Sequence, residues 1–198
     1  MDLYAGKPRV VRRLEPLLGW LERHRVSPDA LTLAAIPIGA LAGVAILLSP
    51  GQPLWLLVVP VAAVLRLVTN LLDGAVARRT GQVHPRGAFY NELGDRVADV
   101  LMLGSVAMVP GAIAPAVWLG VVLALLASFT AVATQAAGGS RTYRGILSKP
   151  GRMALLVAFS MLVLLLGPEA WGPFGPLLAI GTALTLAERV LVAIRELS

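Results

Sequence analysis

Apolar residues gather along this chain into blocks of roughly 20, the length a helix needs to cross a hydrocarbon core of about 30 Å. Six such blocks predict helices over about 30–49, 53–79, 87–109, 113–137, 150–167 and 173–195. Helix breakers stand between them: Ser49-Pro50-Gly51, Gly81 with Pro85, Pro110-Gly111, Gly138-Gly139 and Gly167-Pro168. Ahead of the first block, Val10, Leu14, Leu17, Leu18 and Leu21 recur at helical spacing, while Arg9, Arg12, Arg13, Glu15, Glu22 and Arg23 take the other side. A helix of that pattern lies in the headgroup plane. Ser27-Pro28-Asp29 reads as the N-cap and turn leading into the first span. The expected fold is therefore an all-α integral membrane protein. An N-terminal arm with an interfacial amphipathic helix, 1–29, precedes a six-helix transmembrane domain, 30–198.

Composition agrees with the pattern. Of 198 residues, 57% are hydrophobic and only 14% charged, against roughly a quarter charged in a soluble domain, and mean hydropathy is +0.79. The absence of cysteine excludes disulfides, thiolate catalysis and Cys-ligated metal. The basic start runs into a helix too polar for a signal sequence, so no cleavable leader is expected. A formal charge of +6 would suggest nucleic acid in a soluble protein; here its placement points to a membrane surface instead. Lys7, Arg9, Arg12, Arg13, Arg23 and Arg25 precede the first span. Arg78, Arg79 and Arg86 flank the second connection, Arg141, Arg144, Lys149 and Arg152 the fourth, and Arg189 and Arg195 the end. The first, third and fifth connections carry no Lys or Arg. By the positive-inside rule this predicts a multi-pass protein of the cell (inner or plasma) membrane with both termini, and the second and fourth connections, in the cytoplasm.

Polar residues interrupt this pattern in one place. Asn70 and Asp73 are three residues apart, and Asn91, Asp95 and Asp99 are four and four apart, so each set lies on one face of its helix. Charge inside a span costs at least about 2.5 kcal/mol near the centre and marks function. The topology places both sets near the cytoplasmic side at similar depth, Asp73 roughly 9 Å from its helix end and Asp95 roughly 12 Å beyond Gly87. Hard oxygen ligands with no His or Cys fit Mg²⁺ or Mn²⁺ rather than Zn²⁺ or Cu²⁺. Gly74, Ala77 and Gly87 beside the acids serve either close helix packing or room for a ligand against the backbone.

These residues carry a resemblance. Asn70-x2-Asp73-Gly74-x2-Ala77-Arg78-x8-Gly87-x3-Asn91-x3-Asp95 resembles the signature of the CDP-alcohol phosphotransferases (CDP-alcohol phosphatidyltransferases), Asp-x2-Asp-Gly-x2-Ala-Arg-x8-Gly-x3-Asp-x3-Asp. Six of its eight fixed residues match and the spacing is unbroken across 26 positions; Asn stands for Asp at 70 and 91. The resemblance implies six spans, a cytoplasmic interfacial helix and a homodimer. It also implies an activity, attack of an alcohol on the phosphate that carries the donor group of a CDP-alcohol, with CDP-diacylglycerol as the leading donor, release of CMP, and Mg²⁺ or Mn²⁺ as cofactor. By position, Asn70, Asp73 and Asn91 become metal ligands and Asp95 the general base, while Gly74, Ala77, Arg78 and Gly87 border the nucleotide. Two Asp-to-Asn differences remove two negative charges, so either one metal remains or Glu92 and Asp99 compensate. In the second case Asp95 is a ligand and Asp99 the base.

Around this core, Arg141, Arg144, Lys149 and Arg152 open to the same side as the acids and either grip substrate phosphates or set topology and anionic-lipid contact. Arg66 and Arg96 are expected to neutralise buried carboxylates, and His24 and His84 to lie at the surface. The acceptor alcohol is not legible. Two other classes share some of these features: a non-catalytic descendant that binds CDP-lipid or metal, for which Asn70 and Asn91 speak, and a small transporter, which explains intramembrane acids but not the Gly-Ala-Arg-Gly spacing.

Overall fold

The computed structural model describes residues 14–198; Lys7, Arg9, Val10, Arg12 and Arg13 lie outside them. The described chain is all helical. In chain order the α-helices are α1 Glu15–Arg23, α2 Pro28–Leu33, α3 Ala35–Leu48, α4 Val58–Thr80, α5 Pro85–Gly104, α6 Ala114–Ala136, α7 Lys149–Leu166 and α8 Phe174–Leu197. Short 3-10 turns, Pro53–Leu57, Ser105–Met108 and Pro168–Trp171, lead into α4, end α5 and lead toward α8.

Five stretches are long and apolar enough to cross a membrane: Pro28–Leu48, Pro53–Thr80, Ala114–Ala136, Lys149–Leu166 and Pro168–Leu197. Helix α5 occupies the place of the third expected span. Its 20 residues rise about 30 Å, but Arg86, Glu92, Asp95, Arg96 and Asp99 make it far more polar than the others. The first expected span is two helices, α2 and α3, broken at Ala34. Pro37 explains the break: it has no N–H for the Leu33 carbonyl, and its ring crowds that carbonyl. The boundary expected at 29/30 falls inside α2, whose N-cap is Ser27, with the Ser27 hydroxyl accepting from Ala30 N at 3.1 Å.

The helices pack in two sets. Helices α6 and α8 have the most extensive contact in the molecule, permitted by Gly120, where an added Cβ would lie 2.6 Å from Leu178 Cγ. In the other set, α4 and α5 each pack on α2 and α3, while their own backbones barely meet. Here Gly43 brings α3 against α5 so closely that a Cβ would lie 2.5 Å from the Leu101 carbonyl. The apolar core, with Ile46, Leu56, Val59, Met102, Val106, Leu156, Trp171, Phe174 and Leu178 all buried, gathers at one end of the bundle, by the start of α4 and the end of α5. The buried charges lie toward the other end. There α1 lays Leu18 and Leu21 on Leu72, Ala75 and Val76 of α4, and Arg79 bonds Glu15 and Glu22 of α1. Leu17 and Trp20 of α1 stay exposed.

Candidate active site

Helix α4 runs unbroken to Thr80 and ends on Gly81, whose φ of 69° closes the turn. Four residues later α5 begins, capped by His84, whose Nδ1 accepts from Gly87 N at 3.0 Å, with Pro85 at its first position. This tight reversal puts Asp73 and Asp95 on two helices running opposite ways from one end of the bundle. Helix α2 enters between them at Thr32. Its hydroxyl donates to Asp73 Oδ2 at 2.9 Å, and its carbonyl is 3.5 Å from where a Gly94 Cβ on α5 would stand. Gly74 N donates to Asp73 Oδ1 at 2.5 Å. Asp73 is 7% exposed and lies within electrostatic reach of both Asp95 and Lys149.

On α5 the carboxylates form a ladder, each rung facing cations from other helices. Deepest is Asp99, 2% exposed, with Arg66 Nη1 at 2.7 Å from Oδ1 and Arg152 Nη2 donating to Oδ2 at 2.7 Å. One turn outward, Asp95 Oδ1 meets Lys149 Nζ at 2.5 Å and Arg66 Nη2 at 3.5 Å, and its backbone carbonyl accepts from Arg66 at 2.9 Å. Among the described residues, the cation nearest Asp95 Oδ2 is Arg96, at 3.9 Å. Outermost, Glu92 pairs with Arg141, and its Oε2 lies 3.6 Å from Arg96. Arg96 also donates to Ser128 of α6. Burial opposes the charge on Arg141, which lies in the α6–α7 connection, but the Glu92 carboxylate more than offsets this and raises its pKa above the ordinary arginine value.

Each predicted site residue has a definite place. Asn70, Gly74 and Ala77 are half-buried on α4, and Arg78 is exposed, its guanidinium folded back over Gly74. Gly87 is half-buried, with Asp29 and His84 against its open side; Asn91 is exposed. Arg144 is exposed. Arg152 also donates to the Leu147 carbonyl at 3.0 Å. Arg66 and Arg96 do neutralise carboxylates, as expected. His84 is more than a surface residue: with Asp29, Pro85, Arg86 and Tyr90 it lines an open cleft of about 470 Å³, and its Nε2 is 3.5 Å from Asp29 Oδ2. Thr32 escaped the sequence reading, and Arg189 was read for topology only. Arg189 donates to the carbonyls of Ala127 and Arg144, at 2.7 and 2.9 Å, and so ties α8 to α6 and to the α6–α7 connection. An arginine in the last helix was a visible signal for it; a lone threonine among apolar residues was not.

The fold thus brings buried carboxylates of two polar helices toward one end of the bundle, and sequence comparison supplies the class. Residues 25–193 match the CDP-alcohol phosphatidyltransferase family, and the chain belongs to that family. It is 31% identical over 163 residues to the inner membrane protein YnbA of Escherichia coli, covering 82% of this chain and 81% of that one. It is 38% identical over 94 residues to archaetidylinositol phosphate synthase of Aeropyrum pernix, covering 45% of this chain and 44% of that one. Among solved structures, phosphatidylinositol phosphate synthase of Mycobacterium tuberculosis with CDP-DAG bound superposes with a TM-score of 0.73 at 22% identity, over 92% of this chain and 94% of that one. The same enzyme in complex with manganese and citrate gives 0.72 at 20% identity, over 90% and 88%. The protein is thus a membrane protein with the fold of that synthase and the motif of a lipid headgroup transferase family.

Proposed function

We propose that this protein transfers a phosphatidyl group from CDP-diacylglycerol to an alcohol and releases CMP, in phospholipid synthesis. The observation that carries the reading is the pair of buried carboxylates, Asp73 and Asp95, set on two helices whose backbones barely meet, within the family's spacing. The full topology proposed with it is six spans, α5 being the third, with both termini and the site on the cytoplasmic side and α1 in the headgroup plane. A homodimer is the proposed assembly.

The donor set fits one hard divalent ion. Among the described residues no three Asp, Glu or His side chains converge, but one carboxylate and two amide oxygens suit Mg²⁺ or Mn²⁺, which bind through one or two carboxylates plus substrate phosphates. Asp73, with Asn70 and Asn91, would hold it. Bound there, such an ion would supply Lewis-acid stabilisation of charge on the diphosphate. The chain's own residues do the rest. Gly74 and Gly87 leave the backbone open to the nucleotide, and Arg78 and Arg144, both exposed, can meet its phosphates. Asp95 Oδ2, the oxygen that Lys149 does not hold, takes the proton as the acceptor oxygen attacks the phosphorus bearing the diacylglycerol. The bond to the bridging oxygen breaks and CMP departs with it. Asp99 lacks such an oxygen, because guanidinium groups face both of its own; its part is to position Arg66 and Arg152.

Two relatives are named as synthases of inositol phosphate lipids, so phosphorylated polyols head the set of acceptors to try. The test is CMP release by protein in nanodiscs given CDP-diacylglycerol, Mg²⁺ or Mn²⁺ and pooled alcohols. Release that needs metal, acceptor and Asp73 supports transferase chemistry. CDP-lipid binding without CMP from any pool would replace it with the binding-protein reading, for which Asn70 and Asn91 are the evidence.

A further inference from the structure

Four carboxylates lie on α4 and α5: Asp73, Glu92, Asp95 and Asp99. Three already have a protein cation within 2.7 Å, Arg141 on Glu92, Lys149 on Asp95, and Arg66 with Arg152 on Asp99. Among the described residues Asp73 alone has no cation in an ion pair and is held by neutral donors, the Thr32 hydroxyl and the Gly74 amide. Asn70 and Asn91 offer oxygens without charge. Divalent-ion affinity falls as the ligand charge falls, so these helices retain anionic charge for one ion and not for two.

The lysine is not a surface side chain that happens to swing inward. It is the first residue of α7, with Arg152 in the same turn, and cations there oppose the positive end of the helix dipole. Their placement makes electrostatic sense only with Asp95 and Asp99 opposite. The backbone that presents Lys149 is also fixed from two sides. Leu147 N donates to Thr185 of α8 at 3.0 Å, and the Leu147 carbonyl accepts from Arg152. Just before it, Gly145 has a φ of 131° and lies so close to Thr185 that a Cβ would fall 2.2 Å from Thr185 Cγ2.

We propose that the site holds a single divalent ion, at Asp73, and that the Lys149 ammonium on Asp95 is a built-in second cation facing the donor's diphosphate. The proposal rests on the phosphatidyltransferase reading for its substrate, but its ion count can be read without turnover. Lys149 excludes a second ion by occupying Asp95 and by like-charge repulsion, and it places one permanent positive charge where the diphosphate gathers negative charge during transfer.

The experiment is titration of the purified chain in nanodiscs with Mn²⁺, following free Mn²⁺ by electron paramagnetic resonance. Wild type binds one ion per chain, and so does Lys149→Arg, which keeps the charge. Lys149→Met binds its ion about tenfold more tightly, because a nearby like charge is gone, and Lys149→Met combined with Asn91→Asp binds two. Asp73→Asn binds none. Two ions on wild type, or none, would overturn the proposal, as would a single ion on a monodisperse Lys149→Met/Asn91→Asp variant. CMP release is scored separately. A wild-type chain that releases CMP and binds two ions defeats this inference alone; one that binds a single ion and transfers to no acceptor defeats the transferase reading instead.

Discussion

Helices α4 and α5 are joined by only four residues, 81–84, yet their backbones barely meet; α6 and α8 are separated by the whole of α7 and form the closest pair in the molecule. The contrast is one of side-chain chemistry. Along α6 and α8, Gly120, Ala124, Ala127, Ala131, Gly175, Ala179 and Gly181 are buried, and small residues let backbones approach until dispersion and weak contacts hold them. Along α4 and α5, Arg66, Asp73, Asp95 and Asp99 are buried, and charges need room for partners of opposite sign. Lys149 and Arg152 of α7 supply two of those partners and Arg66 reaches across from α4 as the third, while α2 fills the gap with a hydroxyl. Tight apolar packing makes one half of the bundle a rigid support. The other half is an open polar seam whose stability depends on every ion pair being complete.

The largest effect should come from breaking the seam at Asp73, the carboxylate of the seam with no ion pair among the described residues. Asp73→Asn keeps the shape and the Thr32 contact but removes the charge; CMP release should fall by about a hundredfold or more, with a monodisperse protein on gel filtration. Normal turnover in that variant would refute the assignment. Next is Asp99→Asn, which leaves Arg66 and Arg152 buried with half their partner gone. Breaking a buried pair costs about 3–5 kcal/mol, so its thermal unfolding in detergent should shift down sharply, and an unchanged midpoint would show that the seam does not need this pair. On the supporting half, Gly120→Leu forces side-chain atoms into Leu178 and should cost about 1–3 kcal/mol by overpacking. Its Mn²⁺ binding should stay at the wild-type level, and a loss of ion binding there would show that the two halves are coupled. The smallest effect belongs to Arg79→Ala, which removes exposed bonds to Glu15 and Glu22. Such pairs contribute little, so the melting midpoint should not move, while limited proteolysis should cut near α1 sooner.

The five long apolar stretches were legible because each obeys a local rule. Pro at a helix start, Gly at a helix end and an apolar run between them fixed the ends of α6 and α7, and a Pro the start of α8, to within a few residues. The motif was legible for the same reason, since spacing along one helix determines a shared face. Harder to read was α2. Pro37 marks a break, but nothing in the local pattern says that the short segment before it will wedge between α4 and α5 and offer Thr32 to Asp73. The cations near the site were all visible, yet their pairing was not. Arg141 serves Glu92, and Lys149 serves Asp95, 54 residues away, rather than standing free for substrate.

The sequence by itself determined the apolar stretches, the helices and the family motif, because hydropathy, helix-breaking residues and motif spacing act over a few turns of one chain. Only the tertiary structure decided which carboxylates meet a cation and which meets neutral donors among the described residues. That depends on distances of 2.5–4 Å between side chains on α2, α4, α5 and α7, and Coulomb and hydrogen-bond energies at that range follow the packing of whole helices.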